Sequence, residues 1–191
     1  MQFVARCAFI MLVPIGALGL NACGAEREEA AAKTEESAPQ LDVIGLPNGA
    51  TILAARGSPG FEIANYLASE DVSSRSFILG GSEFAPWSAK PQPEAEARLA
   101  TLAQLLSAYP NAKAKIVGHT DNVGTAEENR RLSLERAQAV VELLVGRGVN
   151  KDQLEAQGMG MDQPIASNDT DAGRSQNRRI SIILDRVEAT D

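Results

Sequence analysis

Aromatic residues are scarce in this sequence: one Trp, two Tyr and five Phe, 4% of 191 positions. A core must therefore be filled by Leu, Ile, Val and Ala, which a hydrophobic content of 44% permits. Histidine occurs once, as His119, and cysteine only as Cys7 and Cys23. No second histidine, no nucleophilic Cys beside a base and no cluster with metal-ligand spacing is present, so neither a metal nor a cofactor is expected. Basic residues are in the minority, 18 Lys and Arg against 25 Asp and Glu, for a net charge of −7. That balance leaves no footprint for nucleic acid and no attraction to an anionic membrane surface. The apolar run from Cys7 to Leu20 is interrupted by Pro14 and Gly16. It is too short and too broken for a membrane-spanning helix.

What is present begins with that run. Arg6 precedes it and small residues lead up to Cys23, so residues 1–22 read as a secretory signal. Leu20-Asn21-Ala22-Cys23 resembles a bacterial lipobox, with Asn21 where a small residue is more usual. Lipidation of Cys23 is the expectation, and plain secretion with cleavage nearby is the alternative. A chain starting at Cys23 has one thiol and no disulfide framework, and acylation accounts for that thiol. Several acyl chains on one residue would anchor stably where one would be marginal. Residues 23–40 are acidic, Ala-rich and short of large apolar side chains. They cannot bury enough surface to offset ordering and read as a flexible tether.

Residues 41–71 are expected to form an N-terminal extension on the core. Leu41 to Arg56 holds two apolar runs around the turn signal Pro47-Asn48-Gly49, a strand or hairpin. Phe61, Ala64 and Leu67 have helical spacing. Residues 72–187 then form the main domain, with a tail at 188–191. Strands are predicted at Ser76–Leu79, into Gly118, at Leu154–Gln157 and over Ile180–Leu184. Gly80-Gly81 ends or bulges the first. Helices are predicted over Glu94–Tyr109 and over about Ala126–Val145, the latter with a seam of Leu134, Ala137, Val141 and Leu144. Asp169 to Arg178 holds at most one helical turn. The order β-α-β-α-β-β implies an α+β two-layer sandwich, a mixed sheet with helices packed on one face.

The chemistry concentrates between Ile116 and Ala137. Asn129, Ser133 and Arg136 are four and three apart, so they share a helix face, next to a loop bearing Asp121. Helix N-terminal N–H groups favour an anion there. Arg136 can accept a carboxylate bidentately and Asp121 can take an ammonium. Together they suit a zwitterionic group. The bland alternative stands beside this: Asp121 in an Asx turn, Asn129 and Ser133 facing solvent, Arg136 on the surface with Glu135 or Glu142, and His119 a hydrogen-bonded loop residue.

Three blocks, G-H-T-D-N-V-G from Gly118, N-R-R-L-S-L-E-R-A-Q-A-V-V from Asn129 and G-R-S-Q-N-R-R-I from Gly173, occur in that order. Together they resemble the OmpA C-terminal-like family, which includes the peptidoglycan-associated lipoproteins. The resemblance covers roughly Val72 to Val187 and implies non-covalent binding of peptidoglycan through the diaminopimelate of its stem peptide. It further implies that Asp121 and Arg136 contact the amino and carboxylate groups of that residue, with Asn129 as a further contact. Thr120 and the Asn177-Arg178-Arg179 cluster resemble positions that shape or line the site. Where many members carry Asp or Asn after a phenylalanine on the first strand, Ala85 follows Phe84 here. Trp87 is expected as a core or lid residue, the alternative being a contact with sugar or peptide. The implied protein is not an enzyme. It is lipid-anchored in the outer membrane with its domain in the periplasm, linking membrane to wall. One alternative reserves wall binding for localisation, while the extension recruits a periplasmic protein partner. A wall hydrolase using His119 and Asp121 is disfavoured by the missing nucleophile and metal ligands.

Overall fold

The computed structural model describes residues 40–81, 84–85 and 87–186. The signal at 1–22, lipidation at Cys23, the tether up to Pro39 and the tail at 188–191 lie outside the described residues.

The chain opens with a hairpin. Strand β1 (Leu41–Gly45) pairs antiparallel with β2 (Thr51–Ala55), Val43 opposite Leu53. The turn works as its residues suggest: Gly49 takes φ +82° and donates to Leu46 O, while Asn48 Oδ1 accepts from Ala50 N. Alternation then gives two faces. Ile52 and Ala54 are buried, whereas Leu41, Val43 and Leu53 are exposed. Helix α1 (Pro59–Ala68) is capped by Ser58, whose Oγ accepts from Phe61 N at 3.3 Å. Its Ile63, Ala64, Tyr66 and Leu67 enter the same core as the sheet. The Tyr66 hydroxyl sits 2.6 Å from Ser73 O and 3.2 Å from Leu184 O.

Four strands form the main sheet: β3 (Arg75–Gly81), β4 (Ala112–Gly118), β5 (Leu154–Gly158) and β6 (Arg179–Arg186). Their spatial order is β3-β6-β4-β5, with β6 antiparallel to both neighbours and β4 parallel to β5. The register of β3 slips between Ile78 and Gly80, the bulge its glycine pair predicts. Ala112, Ala114 and Ile116 of β4, Ile180, Ile182 and Leu184 of β6, and Phe77 and Leu79 of β3 are buried, while Lys113 and Ile78 are exposed. The buried set packs with α1, α2 (Pro93–Ala108) and α3 (Ala126–Gly146) in one cluster. This is the expected two-layer arrangement. The short α4 (Asp171–Asn177) precedes β6 and, at seven residues, runs to about two turns, longer than the single turn expected. In α2, Leu99, Leu102, Leu105 and Leu106 are each 1% exposed or less, contributing about 1.5–3 kcal/mol apiece.

Helix α3 departs from its predicted seam. Leu134 is 38% exposed, and the buried line runs Ser133, Arg136, Ala137, Val140, Leu144. The cause is backbone proximity. A Cβ on Gly118 would stand 2.1 Å from Ser133 O, and one on Gly158 would stand 2.7 Å from Ser133 Oγ. Two glycines thus let the helix settle onto β4 and β5 at a small residue. That contact turns Leu134 outward and Arg136 inward.

Candidate functional site

Strand β4 delivers the chain to His119, Thr120 and Asp121 at the mouth of the sheet. Two backbone bonds fix this exit: His119 N donates to Arg179 O (3.0 Å) and Thr120 N to Gly160 O (2.9 Å). Asp121 Oδ1 then accepts from Val123 N at 3.1 Å, an Asx turn, and its Oδ2 accepts from Arg178 Nη1 at 2.8 Å. Gly124 follows at φ +90°. Helix α3 starts with a capping box: Thr125 Oγ1 accepts from Glu128 N, and the Glu128 carboxylate accepts from Thr125 N and Oγ1. These hydrogen bonds hold the Glu128 carboxyl below its ordinary range. The chain thus places an anion of its own, the Glu128 carboxylate, at this helix N-terminus. The signal was in the sequence, T-A-E-E from Thr125.

The polar stripe on α3 is buried, and its members part ways. Asn129, 1% exposed, donates from Nδ2 to Val123 O (2.9 Å) and Thr125 O (3.1 Å), bracing the loop that carries Asp121. Ser133 donates to Arg130 O and accepts from Gly160 N, so it seats the helix. Arg136 is 1% exposed. Its Nε donates to Ser88 O (2.8 Å), its Nη2 to Ala85 O (3.1 Å), and its guanidinium lies 5.2 Å from the centre of the Phe84 ring. Among the described residues no carboxylate pairs with it. Burial, and then Arg178, push its pKa down to about 10 against a raising effect of Asp121. It is charged at neutral pH. The alternatives that put Asn129 and Ser133 in solvent and Arg136 on the surface do not hold.

Asp121, Asn129 and Arg136, though not Ser133, meet in one cleft of ≈ 190 Å³. Thr120, Asp121, Asn129, Arg136 and Arg178, the five residues singled out from the sequence, all line it, joined by Trp87, Val123, Leu132 and Arg174. The Thr120 hydroxyl is buried without a partner among the described residues. Of the three arginines lining the cleft, Arg178 is paired with Asp121 and Arg174 with Asp171, whereas Arg136 meets no carboxylate among the described residues. Arg174 went unassigned in the sequence, although its four-residue spacing from Arg178 was the available signal. Trp87 is not a core residue: it is 57% exposed. The rest of the Asn177–Arg179 cluster turns elsewhere. Asn177 Oδ1 accepts from Ile165 N and Ala166 N, and Arg179 Nη2 donates to Gln163 O. His119 is buried and does not line the cleft; burial, with Arg179, lowers its pKa to about 4. Among the described residues no group of three or more His, Cys, Asp or Glu is placed to hold a metal.

A mixed four-stranded sheet under helices, with an arginine-rich cleft between the β4–α3 loop and the α4–β6 junction, defines an OmpA-like domain. Residues 83–178 match the OmpA family, and the chain belongs to it. It is 51% identical over 83 residues to outer membrane protein Omp38 of Acinetobacter baumannii, covering 43% of this chain and 23% of that one. It is 45% identical over 83 residues to the peptidoglycan-binding protein ArfA of Mycobacterium tuberculosis, covering 44% and 26%. The match thus spans about a quarter of the length of these two relatives. Among solved structures, the peptidoglycan-associated lipoprotein from Burkholderia pseudomallei superposes with a TM-score of 0.52 at 34% identity, covering 58% of this chain and 89% of that one.

Proposed function

We propose that the cleft binds peptidoglycan non-covalently by holding the free end of diaminopimelate in a stem peptide. Asp121 receives the ammonium, Arg136 the carboxylate, and Thr120, Asn129 and Arg178 shape the site around them. The observation that carries this reading is convergence: Asp121 and Arg136, on a loop and in mid-helix, reach one cleft with opposite charges. With Arg178 paired to Asp121 and Arg174 to Asp171, Arg136 is the arginine left to meet the carboxylate. A relative named for peptidoglycan binding and a fold neighbour named for peptidoglycan association support it. On a chain anchored in the outer membrane through lipidated Cys23, the domain in the periplasm ties that membrane to the wall. Charge-assisted hydrogen bonds contribute about 1.5–3 kcal/mol each, so one site grips modestly. Repeated ligands beside an anchored domain raise the effective concentration and make a modest grip sufficient. No reaction is involved.

A second reading rests on the hairpin. Leu41, Val43 and Leu53 are exposed on one face, outside the residues that match the family. In this reading wall binding localises the chain, and the hairpin recruits a periplasmic protein partner.

The test is retention of the full chain on purified sacculi, challenged with free diaminopimelate or with its carboxyl-amidated form. The free amino acid should release the protein and the amidated one should do so poorly. Equal competition by the two, or none by either, defeats the assignment.

A further inference from the structure

Trp87 is the only tryptophan in the chain, and it is more than half exposed where the aromatics Tyr66, Phe77 and Phe84 are buried. Its backbone takes φ +56°, the single non-glycine among the described residues with positive φ. A bulky side chain adopts that conformation only where its surroundings impose it. Here they do. Phe84 and Pro91 form an antiparallel bridge that closes the segment, and Ser88 N donates to Ala85 O across the turn. Arg136 then holds the carbonyls on either side of Trp87, those of Ala85 and Ser88. The indole is seated as well. A Cβ on Gly124 would lie 2.6 Å from its Cη2, so the ring rests where the Asp121 loop has no side chain. Arg136 therefore fixes two things at once, the charged wall of the cleft and the position of the indole on its rim.

We propose that Trp87 is the platform of a sugar subsite, stacking on the pyranose ring to which the stem peptide is attached. This rests on the reading of the cleft as a stem-peptide site and extends it to the glycan. The cleft, at ≈ 190 Å³, falls below the roughly 300–1,000 Å³ usual for pockets that enclose a whole small ligand. It admits one amino-acid-sized group, so the remainder of a wall fragment lies over the rim, where the indole is. A pyranose ring presents axial C–H groups on one face, and these pack against the electron-rich face of an aromatic ring. The strained backbone and the glycine seat have no counterpart in core packing, because the ring they place is left in solvent. The aliphatic stem of the peptide is the competing occupant, and the test separates the two.

The probes are a disaccharide–tetrapeptide and the same tetrapeptide without sugar, titrated against the full chain and against W87A and W87F. The quantity read is the ratio of the two dissociation constants. In the wild type the sugar should tighten binding by roughly two- to tenfold, the range of an aromatic stacking contact. The ratio should fall to one in W87A and be largely kept in W87F. In the wild type the disaccharide–tetrapeptide should also shield the tryptophan from acrylamide quenching more than the tetrapeptide does. A ratio unchanged in W87A, or a wild-type ratio of one with equal shielding, overturns the sugar subsite and leaves the stem-peptide reading standing. Failure of the wild type to bind either probe overturns both.

Discussion

Arg178 and Asp121 meet at 2.8 Å inside the cleft, with side chains only 19% and 13% exposed. The second Asp121 oxygen is held by Val123 N. The acid is therefore oriented before any ligand arrives, which lowers the ordering cost of binding. A carboxylate has about four lone-pair sites, so an incoming ammonium can join these two donors without displacing either.

Removing that charge while keeping the shape isolates its role. D121N retains an Asx acceptor for Val123 N but leaves Arg178 without its anion. Wall binding should fall at least about tenfold, the worth of one lost charge-assisted contact. Stability should drop by about 1–3 kcal/mol, because Arg178 is mostly screened from water. Sacculus retention and thermal melting measure the two. Wild-type retention in D121N would show that the ammonium is read elsewhere.

Arg136 predicts a different signature. R136K keeps a positive charge, but an ammonium on a flexible stem cannot hold Ala85 O and Ser88 O in a fork while still facing the cleft. Each orphaned carbonyl costs about 1–3 kcal/mol. Sacculus binding should be lost, and emission from Trp87 should report a loosened segment even without ligand. Unchanged emission together with lost binding would mean that Arg136 does not hold the indole in place.

His119 makes stability sensitive to mild acid. Its pKa in the folded protein is about 4, below the ordinary value near 6.5, because burial and Arg179 oppose the charged form. The unfolded chain therefore binds the proton more readily. The stabilisation is complete above pH 6.5 and is lost as pH falls from 6.5 through 4, by about 1.4 kcal/mol per unit. H119Q should flatten the melting profile over that window, most cleanly in its upper part, from about pH 5.5 to 6.5, which lies above the ordinary carboxylate range. A profile as steep as the wild type's would exonerate the histidine.

Gly118 is the position where the fold should tolerate least. A methyl group there would press on Ser133 O at 2.1 Å, a backbone atom in mid-helix that cannot step aside. G118A should lower stability by about 3 kcal/mol or more, at the upper end of overpacking costs. G146A should be nearly neutral, since a Cβ there meets nothing within 4 Å. Denaturant melts of the pair check the contrast.

Much of this was legible in the sequence, for physical reasons that can be named. Pro47-Asn48-Gly49 and the alternation around it announced the hairpin, and the leucines of α2 recur at helical spacing through a helix that is buried on one side. The five cleft residues came from blocks whose separation matched a known family. What stayed hidden depended on distance in space. Nothing local in I-V-G-H-T shows that Gly118 touches Ser133, so Leu134 looked like a core residue. Nothing near Trp87 reveals Arg136, which holds its segment from about fifty positions away. The strain at Trp87 is tertiary in origin, and composition alone favours burying a tryptophan.

Arg136 springs from the middle of α3, and that helix bears directly on β4 at Gly118 and on β5 at Gly158. A pull on anything Arg136 holds is passed into two parallel strands joined residue by residue from Ala114–Leu154 to Gly118–Gly158. On the proposed reading, a tug from the wall would thus reach a helix braced at two points on the sheet and not a free loop.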